Sequence, residues 1–156
     1  MPRLDRLPQI NRNTLITFPA QVNDMAPFAP LTKPLSECRV AIVTTAGLHG
    51  RGDRPFGPGD QSYRVIPSDT PTADVLQSHT SIGFDRVPLM RDINISFPID
   101  RLRELVARGE VGALAPNCYS FMGAQREVTR IVSDSGPAVG RRLRDEGVDA
   151  VLVTPT

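Results

Sequence analysis

Polar residues suited to proton transfer and to binding charged groups cluster directly after the apolar run Val40–Val43. A histidine can donate or accept a proton near neutral pH, which makes His49 a candidate proton donor or substrate binder. The neighbouring hydroxyls and charges are candidate contacts to a substrate or partner, although an internal Asp–Arg ion pair is an equal alternative. These binding candidates are Thr44, Thr45, Asp53 and Arg54.

Two further residues are weak catalytic candidates. His79 ends a predicted strand in the string SHTSIGFDR, and Cys118 lies in PNCYSFMG, within a predicted loop over 117–125. Cys118 is a candidate second redox thiol or the nucleophile of a racemase-like enzyme, and the alternative is an inert buried thiol. Because Cys38 and Cys118 are far apart in sequence, they form no metal-binding or redox motif, and no metal site is expected.

Alternating buried strands and helices position these residues. Val40–Val43 predicts a strand buried on both faces, over about 39–45. A helix over 98–108 precedes a strand over 111–115, and a mostly helical segment over 127–146 precedes a strand over 148–153. This order predicts an α/β fold, Rossmann/flavodoxin-like, with a mainly parallel sheet and helices on both faces. Such sheets bind ligands at the carboxyl ends of their strands, where the candidate residues fall.

The chain divides by composition into an arm and a domain. Residues 1–36 contain six prolines and little periodicity, which predicts an extended proline-rich N-terminal arm. Residues 37–156 are predicted to form a single α/β domain. Glycine and proline predict a loop over 47–62.

Composition excludes several classes of function. With 40% apolar and 22% charged residues and a net charge of +1, nothing favours nucleic-acid or membrane binding. A signal peptide and a membrane-spanning apolar stretch are both absent from the sequence, so we expect a cytoplasmic protein. The glycines at 47, 50 and 52 do not match a nucleotide-binding loop.

The sequence reaches its last residue just after its last predicted strand. A parallel strand is normally followed by a loop and a covering helix, so we expect the domain to be incomplete at its C-terminus, with the last helix missing. A natural edge strand is the alternative. An exposed final strand favours association, and a homo-oligomer is possible.

Three strings carry a resemblance to a known family. They cover residues 30–86, residues 92–125 (DINISFPIDRLRELVARGEVGALAPNCYSFMGAQ) and residues 146–156 (EGVDAVLVTPT). They resemble the selenoprotein B family of the glycine, sarcosine, betaine and D-proline reductases, and most of all its short, D-proline-reductase-like members.

The resemblance implies a reductase component that cleaves C–N bonds of amino acids or their N-methyl derivatives. In that family the last strand leads into selenocysteine or cysteine, then two residues and a cysteine. We therefore expect the catalytic residue at the position after Thr156, at a UGA codon read as stop. The resemblance also implies a pyruvoyl group on a partner subunit, further subunits of the complex and a thioredoxin-like electron donor, with no cofactor in this chain.

Two other functions stay open at this point. The chain is alternatively a non-catalytic binding or scaffold subunit of such a redox complex. Less favoured is a stand-alone racemase-like enzyme that uses Cys118.

Overall fold

The computed structural model describes residues 4–17, 29–81 and 84–155. The chain divides into two compact units, residues 1–30 and residues 31–156. The first unit contains helix α1 (Gln9–Ile16), where the sequence predicted extended chain. The prolines of this region fall outside the helix, whose first turn is closed by a hydrogen bond from the Arg12 N–H to the Pro8 carbonyl at 3.0 Å. None of its residues is buried.

The second unit holds the sheets and the remaining helices. Its strands are β1 (Arg39–Thr44), β2 (Leu48–Gly50), β3 (Tyr63–Pro67), β4 (Val75–Gln77), β5 (Ala113–Leu114), β6 (Asn117–Phe121) and β7 (Ala150–Thr154). Its helices are α2 (Val87–Arg91), α3 (Ile99–Ala107) and α4 (Gly136–Asp145), the last preceded by a wider helical turn at Ile131–Ser135.

Strand β1 lies at the centre of the main sheet. Strand β7 pairs with it in parallel along one edge, with Val40 opposite Ala150 at one end and Thr44 opposite Thr154 at the other. Along the other edge β5 pairs first and β6 second, both parallel to β1. Pro116 separates these two strands, and it has no N–H to continue the ladder. Strand β3 pairs antiparallel with β6, so the mainly parallel α/β sheet predicted from the sequence is confirmed.

Helices cover the sheet on both faces. One core cluster joins Val40, Ile42 and Cys118 to residues of α2 and α3, including Leu89 and Leu102. A second cluster, on the opposite face, packs Tyr119 and Phe121 against Val139 of α4. Alternate residues of β1 and β6 therefore enter different layers, as the twofold period of a strand requires.

Strand β7 differs from the other parallel strands in its exposure. Val151 and Leu152 are each 38% exposed and Val153 is 59% exposed, whereas Ile42 on the neighbouring strand is fully buried. Parallel strands are ordinarily buried on both faces, so β7 presents apolar surface that a further element would cover.

Two loops predicted from the sequence contain strands. The stretch over 47–62 includes β2, which pairs antiparallel with β4 in a separate two-stranded sheet. The stretch over 117–125 begins with β6. In β6 Cys118 and Ser120 face one layer and Tyr119 and Phe121 the other, and burial on both sides hides the alternation that would signal a strand.

Gly112 allows the start of β5 to approach the segment before β1. A Cβ atom at this position would lie 2.8 Å from the carbonyl carbon of Glu37 and 2.9 Å from the backbone nitrogen of Cys38. Neither backbone atom can rotate away, so Gly112→Ala should lower the free energy of unfolding by about 1–3 kcal/mol. Urea denaturation of the purified chain measures this change.

Gly140 provides the matched control. It lies inside α4, and a Cβ there would meet open space. Gly140→Ala should therefore raise the free energy of unfolding by about 0.5–1 kcal/mol. Equal stability of the two alanine variants would contradict the close approach at Gly112.

Candidate functional site

The carboxyl ends of β1, β6 and β7 meet at one edge of the sheet, which we call the rim. The Thr44 hydroxyl donates to the Ser96 carbonyl at 3.0 Å, and the Thr154 hydroxyl donates to the same oxygen at 2.7 Å. The Thr45 N–H donates to the Thr154 carbonyl at 3.2 Å. One carbonyl oxygen between two strands thus fixes both threonines, and Thr44 is fully buried.

The loop after β1 crosses the rim and carries the next strand. The Gly47 N–H donates to the Phe121 carbonyl at 2.9 Å, and the Leu48 N–H donates to the Ser120 hydroxyl at 2.8 Å. Gly47 has a φ of +64°, and a Cβ there would lie 3.1 Å from the Cα of His79. This glycine therefore lets the segment after β4 pack directly against the rim loop.

His79 is buried at this contact, with 1% of its surface exposed. Its Nδ1 accepts a hydrogen bond from the Ser81 N–H at 3.2 Å, so the hydrogen lies on Nε2 in the neutral ring. Among residues 4–17, 29–81 and 84–155, Nε2 has no hydrogen-bond partner. Burial lowers the pKa of His79, and the nearby positive charge of Arg86 lowers it further. His79 is thus a neutral donor held beside the rim.

His49 lies on β2 and is 4% exposed. Its Nδ1 lies 2.9 Å from the Gly50 carbonyl, to which it donates as an N–H. His49 is paired with Leu76 on β4, three positions before His79. The small sheet therefore holds His49, and His79 follows its second strand by two residues.

Asp53 and Arg54 lie on the exposed turn that follows β2. The Asp53 carboxylate accepts from the Gly50 N–H at 2.9 Å and so closes its own turn. The Arg54 carbonyl accepts from the side chain of Arg64 at 2.7 Å. Within the described part of the chain, neither side chain pairs with a histidine, and the two do not pair with each other.

Cys118 lies within β6 and not on a loop, and it is fully buried. Its sulfur is 3.5 Å from the Ser68 hydroxyl. Burial raises the pKa of the Cys118 thiol, whereas a nucleophilic cysteine needs a lowered pKa and access to its substrate. This geometry disfavours the racemase-like enzyme and favours an inert core thiol.

Three residues that fix the rim were not predicted from the sequence as site residues: Ser96, Ser120 and Thr154. Thr154 carried a signal, because it ends an apolar run as Thr44 does. Ser96 carried none, since its contribution is a backbone carbonyl. Its own hydroxyl is buried without a hydrogen-bond partner in the described ranges.

The described residues contain neither a metal-binding cluster nor a membrane-spanning helix. Across the described residues, no group of three or more His, Cys, Asp or Glu side chains is arranged to hold a metal ion. In the same residues no helix combines the length and apolar character needed to cross a bilayer.

The fold is an α/β protein whose parallel strands end together at the rim, the edge at which open α/β sheets ordinarily bind ligands. Residues 4–156 match the family model described as glycine/sarcosine/betaine reductase selenoprotein B. The chain belongs to this family, which confirms the resemblance carried by the sequence strings. No solved structure matches the chain.

Individual relatives agree with the family. The chain is 43% identical over 128 residues to the D-proline reductase subunit gamma of Acetoanaerobium sticklandii, a match that covers 81% of this chain and 52% of that protein. It is 32% identical over 146 residues to the sarcosine reductase complex component B subunit beta of Peptoclostridium acidaminophilum, and this match covers 89% of this chain and 33% of that protein. It is 30% identical over 153 residues to the glycine reductase complex component B subunit gamma of Carboxydothermus hydrogenoformans, covering 92% and 34%. The chain therefore spans about half of the first relative's length and a third of the others'.

The burial of both cysteines predicts slow thiol chemistry. Cys38 and Cys118 are each 0% exposed, so a chromogenic disulfide reagent should label neither in the native protein and both after unfolding in urea. Cys38→Ala isolates Cys118 for the measurement. Rapid labelling of native Cys118 in that variant would restore it as a candidate nucleophile.

The lowered pKa of His79 predicts a pH-dependent stability. Its folded-state pKa lies below the ordinary value of 6.5, so the unfolded chain binds the proton more tightly. The stabilisation is complete above pH 6.5 and is lost as the pH falls from there through the folded-state pKa. Urea denaturation between pH 7.5 and 5.5 should show this decline, and His79→Gln should flatten it.

His49→Gln removes the chain's other histidine and serves as the control. With His49 replaced, the remaining decline in this range is assigned to His79. A decline that persists unchanged in His79→Gln would contradict the assignment.

Proposed function

We propose that this chain is part of a selenocysteine- or thiol-dependent reductase component that cleaves C–N bonds of amino acids or their N-methyl derivatives. The catalytic selenocysteine or cysteine follows Thr156 directly. The pyruvoyl group that activates the substrate lies on a partner subunit, and a thioredoxin-like protein supplies the electrons.

Membership of the selenoprotein B family supports the reaction class. The relatives are named as subunits of D-proline, sarcosine and glycine reductases, which supports assembly with other subunits. The match spans only part of each relative, so the substrate and the partners of this chain belong to the proposal.

The proposed position of the reactive residue is supported by the end of β7, which hydrogen bonds hold in place at the rim. Thr154 donates its hydroxyl to the Ser96 carbonyl at 2.7 Å and accepts from the Thr45 N–H at 3.2 Å. The chain beyond Thr154 therefore leaves the sheet at the rim, beside the loops that follow β1 and β6. The exposed apolar side chains of β7 support a covering element after it, because such strands are normally buried.

The rim also suits an anionic nucleophile. A selenol has a lower pKa than a thiol and is ionised at neutral pH, so it attacks where a cysteine of pKa near 8.5 is mostly protonated. Cleavage of the C–N bond consumes two electrons and releases the amine. The selenol and its neighbouring cysteine supply these electrons as they join in a selenenylsulfide, which the thioredoxin-like donor reduces again. The buried Nε2–H of His79 lies beside this edge as a neutral donor.

The test begins with the DNA that follows codon 156. We expect an in-frame UGA or cysteine codon there, then two codons and a cysteine codon. The extended chain, expressed with selenocysteine incorporation and mixed with the other reductase subunits, should consume dithiothreitol in the presence of D-proline, glycine, sarcosine or betaine.

A serine at the first position of the motif should abolish this activity, and a cysteine there should retain a small part of it. Cys118→Ser in the same extended chain is the matched control and should leave the activity unchanged. A UAA or UAG codon after codon 156, or full activity of the serine variant, would reject the proposal. In the first case the scaffold function becomes the better explanation.

A further inference from the structure

A groove of about 910 Å³ lies between β4 and α2, away from the threonines of the rim. Leu89, Met90 and Ile93 contribute to its apolar wall. Large apolar side chains are exposed both in the groove and beside it, because Met90 is 83% exposed, and Val87 and Ile95, which do not line the groove, are 52% and 62% exposed. Three large exposed apolar side chains within nine residues indicate an interaction surface, whereas single exposed apolar residues are ordinary on protein surfaces.

Unpaired hydrogen-bond donors border this apolar surface. Arg86 and Arg91, at the two ends of α2, line the groove, and the side chain of neither forms an ion pair or hydrogen bond within the ranges that the structure describes. Gln77 also lines it, and its buried side-chain amide nitrogen has no partner in the described ranges. An arginine presents a fork of donors that fits a carboxylate, and the amide group fits a peptide carbonyl.

The acidic residues that line the groove form no ion pair with these two arginines in the described part of the chain. The Asp92 carboxylate accepts from the backbone and side-chain nitrogens of Asn94, both at 2.9 Å. Asp100 pairs with Arg103 at 2.7 Å. Within the described residues neither carboxylate pairs with Arg86 or Arg91, and the two guanidinium groups at the ends of α2 are left for an incoming anion.

We infer that this groove binds a segment of a partner protein, with an apolar side chain flanked by carboxylates. The groove of about 910 Å³ is near the upper end of the about 300–1,000 Å³ of pockets that hold drug-sized ligands, so a small amino acid would fill only part of it. It would also leave Val87 and Ile95 uncovered. Methionine and arginine are enriched at the centres of protein interfaces, which matches the composition of α2. The inference depends on the proposed function only in expecting the partner among the other reductase subunits.

The first arm of the test uses labelled peptides. A fluorescein-labelled nonapeptide with central leucines flanked by glutamates should bind the chain at least about tenfold more tightly than the same peptide with lysines. The double variant Arg86→Glu/Arg91→Glu should lose this preference, and added salt should weaken binding to the wild-type chain. Met90→Ser should weaken binding of both peptides without unfolding the chain, because Met90 is exposed.

The matched control reverses two arginines on another surface. Arg108 and Arg130 are exposed and pair with Glu110 and Asp134, so Arg108→Glu/Arg130→Glu carries the same charge change without touching the groove. It should bind the acidic peptide as the wild-type chain does. Circular dichroism confirms that each variant is folded.

The second arm measures assembly of the wild-type chain and both double variants with the purified reductase subunits by size-exclusion chromatography. Loss of assembly only in Arg86→Glu/Arg91→Glu supports the inference and the proposed function together. Peptide binding without assembly supports the groove and counts against the proposed function.

Three results would overturn the inference. The first is equal binding of the acidic and basic peptides, or binding of neither. The second is displacement of the peptide by free D-proline or acetate at comparable affinity, which would make the groove a small-molecule site. The third is self-association of the wild-type chain that the groove variant abolishes, which would make a second copy the occupant.

Discussion

Hydrogen bonding of both edges of β1 is the constraint on which the rest of the domain depends. Every parallel strand pairs with β1, with β7 along one edge and β5 and β6 along the other. Because both edges are occupied, the carboxyl ends of three strands are brought to one place. The two faces of β1 then supply the two core layers, against α3 on one side and α4 on the other. The rim is thus a product of strand pairing and needs no specialised binding loop of its own.

Long, periodic elements were predictable from the sequence and local exceptions were not. The apolar run of β1 and the face of α3 were confirmed, because a continuous run and a 3.6-residue period are strong signals. Strand β2 was missed because its neighbours are glycines, and it exists through pairing with β4 and a hydrogen bond to Ser120. Helix α1 was missed because the prolines on either side dominate the local composition.

Some residues of the candidate site could likewise be predicted from the sequence, and others could not. Thr44 and Thr45 could be assigned to the end of a parallel strand, and the structure places them there. The sequence could not reveal that Cys118 belongs to a buried strand, because a thiol among small residues suits a loop equally well. It also could not reveal the contribution of Ser96, which acts through its main chain. The resemblance came from long matched strings, and the family model over residues 4–156 confirmed it, whereas the geometry of the described residues indicates no reaction class.

The shared Ser96 carbonyl has a consequence for how this region opens. A carbonyl oxygen accepts two hydrogen bonds, and here both come from threonine hydroxyls on adjacent strands. If the turn at 93–96 detached, the buried Thr44 hydroxyl and the partly buried Thr154 hydroxyl would lose this acceptor at the same moment, and Thr44 would keep only its longer contact to the Thr154 carbonyl at 3.3 Å. The turn and the two strand ends therefore form a single cooperative unit of local unfolding. Fluctuations that separate only one of the three are suppressed, which keeps the edge of the sheet in register.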